Sequence, residues 1–133
     1  MTRMLCLTVV VSVLALTGCF STSPAYTVDM ETEPVTLCKS VGAEKVKASI
    51  VNAAVNRQWS VIKEEDGRVD LLLDVRGKHE ARVSVNYTAD SFCVKYISSV
   101  NLNYDQSTKG IHRKYIQWVR NLKADIRRLA QSN

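Results

Sequence analysis

Two histidines, four cysteines and one close pair of aspartates are the residues of this 133-residue chain best suited to chemistry. His79 and His112 stand alone: no His-x-x-x-His or Cys-x-x-Cys spacing supplies a zinc ligand set. Only five glycines are present, with no Gly-rich phosphate loop and no Gly-x-Ser-x-Gly elbow. Asp70 and Asp74 lie four apart in a stretch of strand-like alternation, hence on one face. Two carboxylates so placed can divide acid and base work, and the same spacing equally serves to keep an outer sheet face wetted. His79 opens a strand beside a turn and reads as a surface residue. His112 falls in the first turn of the last helix, where a capping or packing role competes with that of a ligand or of a hydrolase's base. No enzyme, cofactor or metal site is expected from this inventory.

The cysteines carry a stronger signal. Met1-Thr2-Arg3 is a short basic start, and Leu5 to Leu16 is apolar apart from Thr8 and Ser12. A dozen residues is too short to span a hydrocarbon core of ~30 Å as a helix, and suits the h-region of a secretory signal peptide; a buried core helix or a true membrane anchor is the competing reading. The small residues Thr17 and Gly18 then precede Cys19. Leu16-Thr17-Gly18-Cys19 resembles the lipobox of bacterial lipoproteins. That resemblance implies cleavage between Gly18 and Cys19, a diacylglycerol on the Cys19 thiol and an acyl chain on its new amino group. Several chains anchor stably where one is marginal, because each buried methylene contributes ~0.8 kcal/mol. Phe20 stands where an Asp commonly marks inner-membrane retention, which implies an outer-membrane lipoprotein with its domain in the periplasm. Cys6 leaves with residues 1–18. Cys38 and Cys93 remain as an even pair in an oxidising compartment, where a disulfide is expected. It would close a loop of about 55 residues and add roughly 4 kcal/mol in the chain-entropy picture; two separate buried thiols are the alternative.

The elements that must position these residues are set by periodicity. Residues 19–37 hold Ser, Thr, Pro and three acids, without periodicity, and read as a flexible tether behind the lipidated cysteine. A single domain is expected over 38–133. Val46, Ile50, Ala53 and Ala54 recur at helical spacing and predict a helix over about 43–57. Alternation then predicts four strands. They begin at Trp59, Val69, His79 and Phe92 and are joined at Asp66-Gly67, Gly77-Lys78 and Thr88–Ser91. Ile111, Tyr115, Trp118, Val119, Leu122, Ile126 and Leu129 form a helical stripe over about 110–131. The predicted fold is two-layer α+β: helix, four-stranded antiparallel meander, C-terminal helix, with both helices on one face of the sheet.

Charge concentrates at the end. Residues 38–133 carry seventeen Lys and Arg against ten Asp and Glu, a net of +7. Arg113, Arg120 and Arg127 repeat every seven positions along the outer face of the last helix, with Arg128 beside them. Such a face fits anionic lipid, phosphate or an acidic protein surface, or is merely solvated. Nucleic acid is not an expected partner of a lipid-anchored envelope protein.

Tyr96-x-x-Ser99-x-Asn101-Leu102-x-Tyr104 followed by Ile111-His112-Arg113-x-Tyr115-x-x-Trp118-x-x-x-Leu122 resembles a family of small Gram-negative envelope lipoproteins without assigned activity. Trp59 and Arg76-Gly77-x-His79 fit the same pattern, which covers about residues 43–130. One position departs: Ile116 replaces the usual Asn. The resemblance implies an envelope location and a small α+β domain, and brings no catalytic residues. Asn101, Tyr104 and His112 either border a ligand groove or satisfy the strand-to-helix connection. The leading expectation is an envelope lipoprotein acting through protein or membrane-surface contacts. An inhibitor of muramidases and an accessory subunit of an envelope-assembly complex are the alternatives. A domain at +7 is a poor electrostatic match for strongly basic muramidases.

Overall fold

The computed structural model describes residues 24–133. Residues 1–18, Cys19 and positions 20–23 lie outside them, and with them the signal-peptide, cleavage and lipidation expectations.

The order of elements is a 3-10 turn (Val28–Glu31), β1 (Val35–Thr36), α1 (Ala43–Asn56), β2 (Trp59–Glu65), β3 (Arg68–Val75), β4 (His79–Tyr87), β5 (Ser91–Val100) and α2 (Arg113–Gln131). The sheet order is β1-β5-β4-β3-β2, antiparallel throughout. The meander and the flanking helices are as the periodicity predicts, with one strand more. Inward residues of three strands (Val69, Leu71, Leu73; Ala81, Val83, Val85; Phe92, Val94) pack against Val46, Ile50, Ala53 and Ala54 of α1 and Tyr115, Val119, Leu122 and Ile126 of α2. All are buried, so each fully covered Val, Leu or Ile contributes about 2 kcal/mol of transfer free energy. Ile116, the departure from the resembled pattern, is buried too.

Two bulges break the strict alternation. Register slips between Val61 and Lys63 in β2, and opposite Arg82/Val83 in β5, where Ile97 is the extra residue. The additional residue turns the rest of the strand to the other face. Ile62, Ile97 and Val100 are accordingly among the exposed large apolar side chains.

The β3–β4 turn sits one residue earlier than expected. Lys78 N–H donates to Val75 O at 3.1 Å, and the two central residues, Arg76 (φ +57°) and Gly77 (φ +65°), are both left-handed. An arginine there costs roughly 1 kcal/mol. In the Asp66-Gly67 turn only Gly67 takes positive φ.

Residues 24–37 differ most from expectation: they belong to the fold rather than to a tether. Val28 N–H donates to Lys109 O at 3.0 Å, and Ile111 N–H donates to Tyr26 O at 3.0 Å. Thr27 bridges Gly110 in antiparallel sense. Val35 and Thr36 pair with Phe92 and Ser91 at the sheet edge. Val28 and Leu37 are each 5% exposed. Gly110 is required by this docking, since a Cβ there would stand 2.9 Å from Pro24 Cβ. Nothing in the local pattern marks this segment, because each ordering contact is with a distant part of the chain.

Candidate functional site

The carboxylate pair is not an acid–base couple. Asp70 accepts from Arg68 Nε at 2.8 Å and Nη2 at 3.3 Å on the outer face of the sheet. Asp74 instead caps the β3–β4 turn, accepting from Gly77 N–H at 2.9 Å. Each carboxylate is engaged locally, by a different partner.

Cys38 and Cys93 are free thiols and do not form the expected disulfide. The β1–β5 register explains why. Val35 lies opposite Phe92, so an extension of the ladder puts Cys38 level with Ala89 and Cys93 level with Pro34. Four residues of strand separate those levels, about 13 Å, against the ~7 Å limit on a bridgeable Cα pair. Cys38 Sγ instead accepts from Gln131 Nε2 at 3.3 Å.

The groove expected from Asn101, Tyr104 and His112 does not exist as one site. His112 caps α2, its Nδ1 accepting from Lys114 N–H at 3.2 Å, while its own N–H donates to Leu102 O at 2.8 Å. Tyr104 stacks on Tyr96 with centroids 4.7 Å apart, and Tyr96 meets Tyr115 edge-on at 5.6 Å. Burial raises the Tyr115 phenol well above its usual range. Asn101, left-handed at φ +57°, uses its side-chain Nδ2 to donate to Lys78 O at 2.6 Å. His112 and Tyr104 line separate shallow clefts, of about 380 and 410 Å³. These residues build the β5–α2 connection, the structural one of the two roles their sequence allows.

The basic face of α2 is divided. Arg120 is ion-paired with Glu31, whose second carboxylate oxygen accepts from Lys123 Nζ at 3.2 Å. Lys123 also donates to Glu31 O at 3.0 Å. Asp125 is clamped by Arg57, at 2.6 Å from Nε, with Arg128 3.9 Å away. The hydrogen bond from Arg57 holds the Asp125 carboxyl below the usual carboxylate range. Of the four arginines singled out by spacing, Arg113 and Arg127 alone have no ion pair among the described residues. The acidic N-terminal segment, docked rather than free, supplies the counter-charge for Arg120.

What the fold does gather is a different cation cluster. Arg76 and Lys78 of the β3–β4 turn, His79 at the start of β4, and Lys114, Gln117 and Trp118 on α2 line a cleft of about 520 Å³. Asn101 organises its rim. Its side chain holds Lys78 O, and its carbonyl accepts from His79 Nδ1 at 2.9 Å, leaving Nε2 as the imidazole's other polar atom. Arg76, Lys78 and Lys114 form no ion pair among the described residues. In sequence Trp118 is visible only as part of the core stripe. The i, i+3, i+4 set of Lys114, Gln117 and Trp118 is hidden behind the more regular seven-residue arginine repeat. The signal that points to the site is the Arg76-Gly77-x-His79 turn taken together with that set.

Among the described residues no three His, Cys, Asp or Glu side chains assemble a metal site, and no helix is long and apolar enough to cross a membrane. Protein-family models, curated proteins and solved structures give no match to the chain.

Proposed function

We propose that this protein is a lipid-anchored envelope lipoprotein of the outer membrane, periplasm-facing, that acts by contact with envelope surfaces or proteins rather than by catalysis. The observation that carries the reading is the sequence Leu16-Thr17-Gly18-Cys19 placed directly after a short apolar run with a basic start. The fold is compatible with an anchor at that point, because Pro24, the first described residue, is packed against Gly110 only five residues beyond Cys19. The small clefts and the local engagement of Asp70, Asp74 and His112 favour a contact role over a reaction. The expected partners are the membrane, through the lipid on Cys19, and an envelope protein or anionic lipid at a basic surface. The reading also places the protein in the resembled family of small envelope lipoproteins.

Metabolic labelling with palmitate tests it. The wild-type chain takes up label and fractionates with outer membrane, whereas Cys19→Ser does neither and keeps its unprocessed N-terminus. Equal fractionation of both, with no label on either, would end the proposal.

A further inference from the structure

The described residues begin at the same end of the domain as the cation cleft. Pro24 packs on Gly110, and Tyr26 O is bonded to Ile111 N–H. His112 comes next, bonded to Leu102 O, and the neighbouring Asn101 holds Lys78 and His79 on the rim. The segment Asn101–Leu102 thus links Pro24, the first described residue, to the cleft.

Covalent geometry makes this proximity consequential. Five residue steps separate Cys19 from Pro24, and fully extended they span at most ~18 Å. An acylated Cys19 sits at the boundary between hydrocarbon and head groups, and the head-group layer itself is about 5–8 Å thick on each side. Pro24 is then held within roughly 10 Å of the membrane surface, close to the ~8 Å Debye length at physiological salt. The end of the domain carrying Pro24 and the cleft is the end such a leash presses toward the bilayer.

The charges at that end suit an anionic surface. Arg76, Lys78 and Lys114 are exposed and have no ion-pair partner among the described residues. The acids nearby are already engaged: Asp74 accepts from Gly77 N–H, Asp105 from Ser107 N–H at 2.8 Å, and Asp29 is bonded to Lys109. Unpaired cations on two different elements, fixed around a cleft by a left-handed turn and an asparagine clamp, match a phosphate with several oxygens. Trp118 on the wall offers an amphipathic ring of the kind favoured at membrane interfaces.

We propose that the cleft between the β3–β4 turn and the first turns of α2 binds the phosphate of anionic membrane lipids, with Arg76, Lys78 and Lys114 as its charge partners. It orients the domain on the bilayer that carries it. This rests on the anchoring reading above for its geometry. The test uses the full chain carrying Cys19→Ser, which cannot be acylated, sedimented with vesicles of phosphatidylcholine alone or with about 30% phosphatidylglycerol, which sets a strongly negative surface potential. The readout is the ratio of the two affinities, so that insertion of the apolar N-terminus, common to both, cancels.

A ratio of about ten or more is expected at low salt, falling toward one in Arg76→Ala/Lys114→Ala and unchanged in Arg120→Ala, whose cation is already paired. Arg76→Asn/Lys114→Gln, which keeps a residue tolerant of positive φ in the turn, must behave as the alanine pair does. A wild-type ratio near one, or a ratio that survives both double variants, overturns the assignment. So does inorganic phosphate shifting the His79 resonances while the vesicle ratio stays near one, which would make the ligand a soluble phosphate. The two readings fail separately. A chain unlabelled by palmitate but with the ratio intact loses its anchor and keeps its cleft. A labelled chain without the ratio keeps its anchor and loses its cleft.

Discussion

Arg127 apart, the cations toward the two ends of α2 are used in opposite ways. Toward the C-terminus, Arg120 and Lys123 converge on Glu31, and Arg128 joins Arg57 around Asp125. There the charge is internal: it fixes the N-terminal segment to the helix and α1 to α2. Toward the N-terminus, Lys114 meets Arg76 and Lys78 across a cleft with no carboxylate among its lining residues. A count of basic residues along a helix does not distinguish these cases. The distinction depends on whether a distant partner has folded onto the helix, as Glu31 has onto Arg120 and Lys123, and Arg57 onto Asp125.

The contrast makes ordered predictions for stability. Glu31→Ala should have the largest effect, about 2 kcal/mol, because it removes the carboxylate shared by Arg120 and Lys123, leaves Lys123, whose side chain is only 14% exposed, without its counter-charge, and loosens the segment around Val28. Urea unfolding measures it, and a loss below about 0.5 kcal/mol would mean that the segment is held by its backbone bonds alone.

Asp125→Ala should cost less, about 1 kcal/mol, since Arg57 is 45% exposed and well solvated without its partner. Its effect should depend on pH. The folded carboxyl titrates below its unfolded value of about 3.9, so the pair's contribution is fully present above that pH and is lost as pH falls through the folded value. Wild type and Asp125→Ala should therefore differ in midpoint at pH 7, and the difference should shrink as pH is lowered below about 3.9.

At the other end of the helix the sign should change. Lys114→Ala removes a cation that has only like charges lining its cleft, and should leave stability within about 0.5 kcal/mol of wild type, or slightly raise it. A clear destabilisation would reveal an internal partner for Lys114 and dissolve the contrast. The smallest effect belongs to the thiols. With Cys38 and Cys93 unbonded, reductant should not shift the thermal midpoint, and both should take up a thiol reagent after denaturation without prior reduction.

Legibility tracks the range of the interactions. The α1 and α2 stripes and the four long strands are readable because their burial repeats locally, at periods near 3.6 and 2. The bulges at Ile62 and Ile97 are not, since one extra residue leaves an apolar position that looks like an ordinary strand residue until the register across it is known. The segment 24–37 looks like a tether because it buries little more than Val28 and Leu37, and its order comes from Lys109, Gly110, Ile111 and the sheet edge. The cysteines mislead for the same reason: an even count says nothing about register. Of the candidate site, His112 as a cap is legible from its place at the start of the last helix. The cleft is not, because its parts lie on a turn and a helix far apart in sequence.

The docking of residues 24–37 also gives the molecule two gauge lengths. Tension applied upstream of Pro24 is carried first by the bonds from Tyr26 to Ile111 and from Lys109 to Val28, then by Glu31, and only last by the two-residue edge strand. Of the four-strand meander only β5, the partner of β1, lies on that load path. The segment can therefore peel progressively while the meander and both helices stay intact, and peeling it to Leu37 releases about 45 Å of further chain. The stretch works as stored slack: short while docked, several times longer once drawn, with Gly110 and Pro24 as the catch that holds it in.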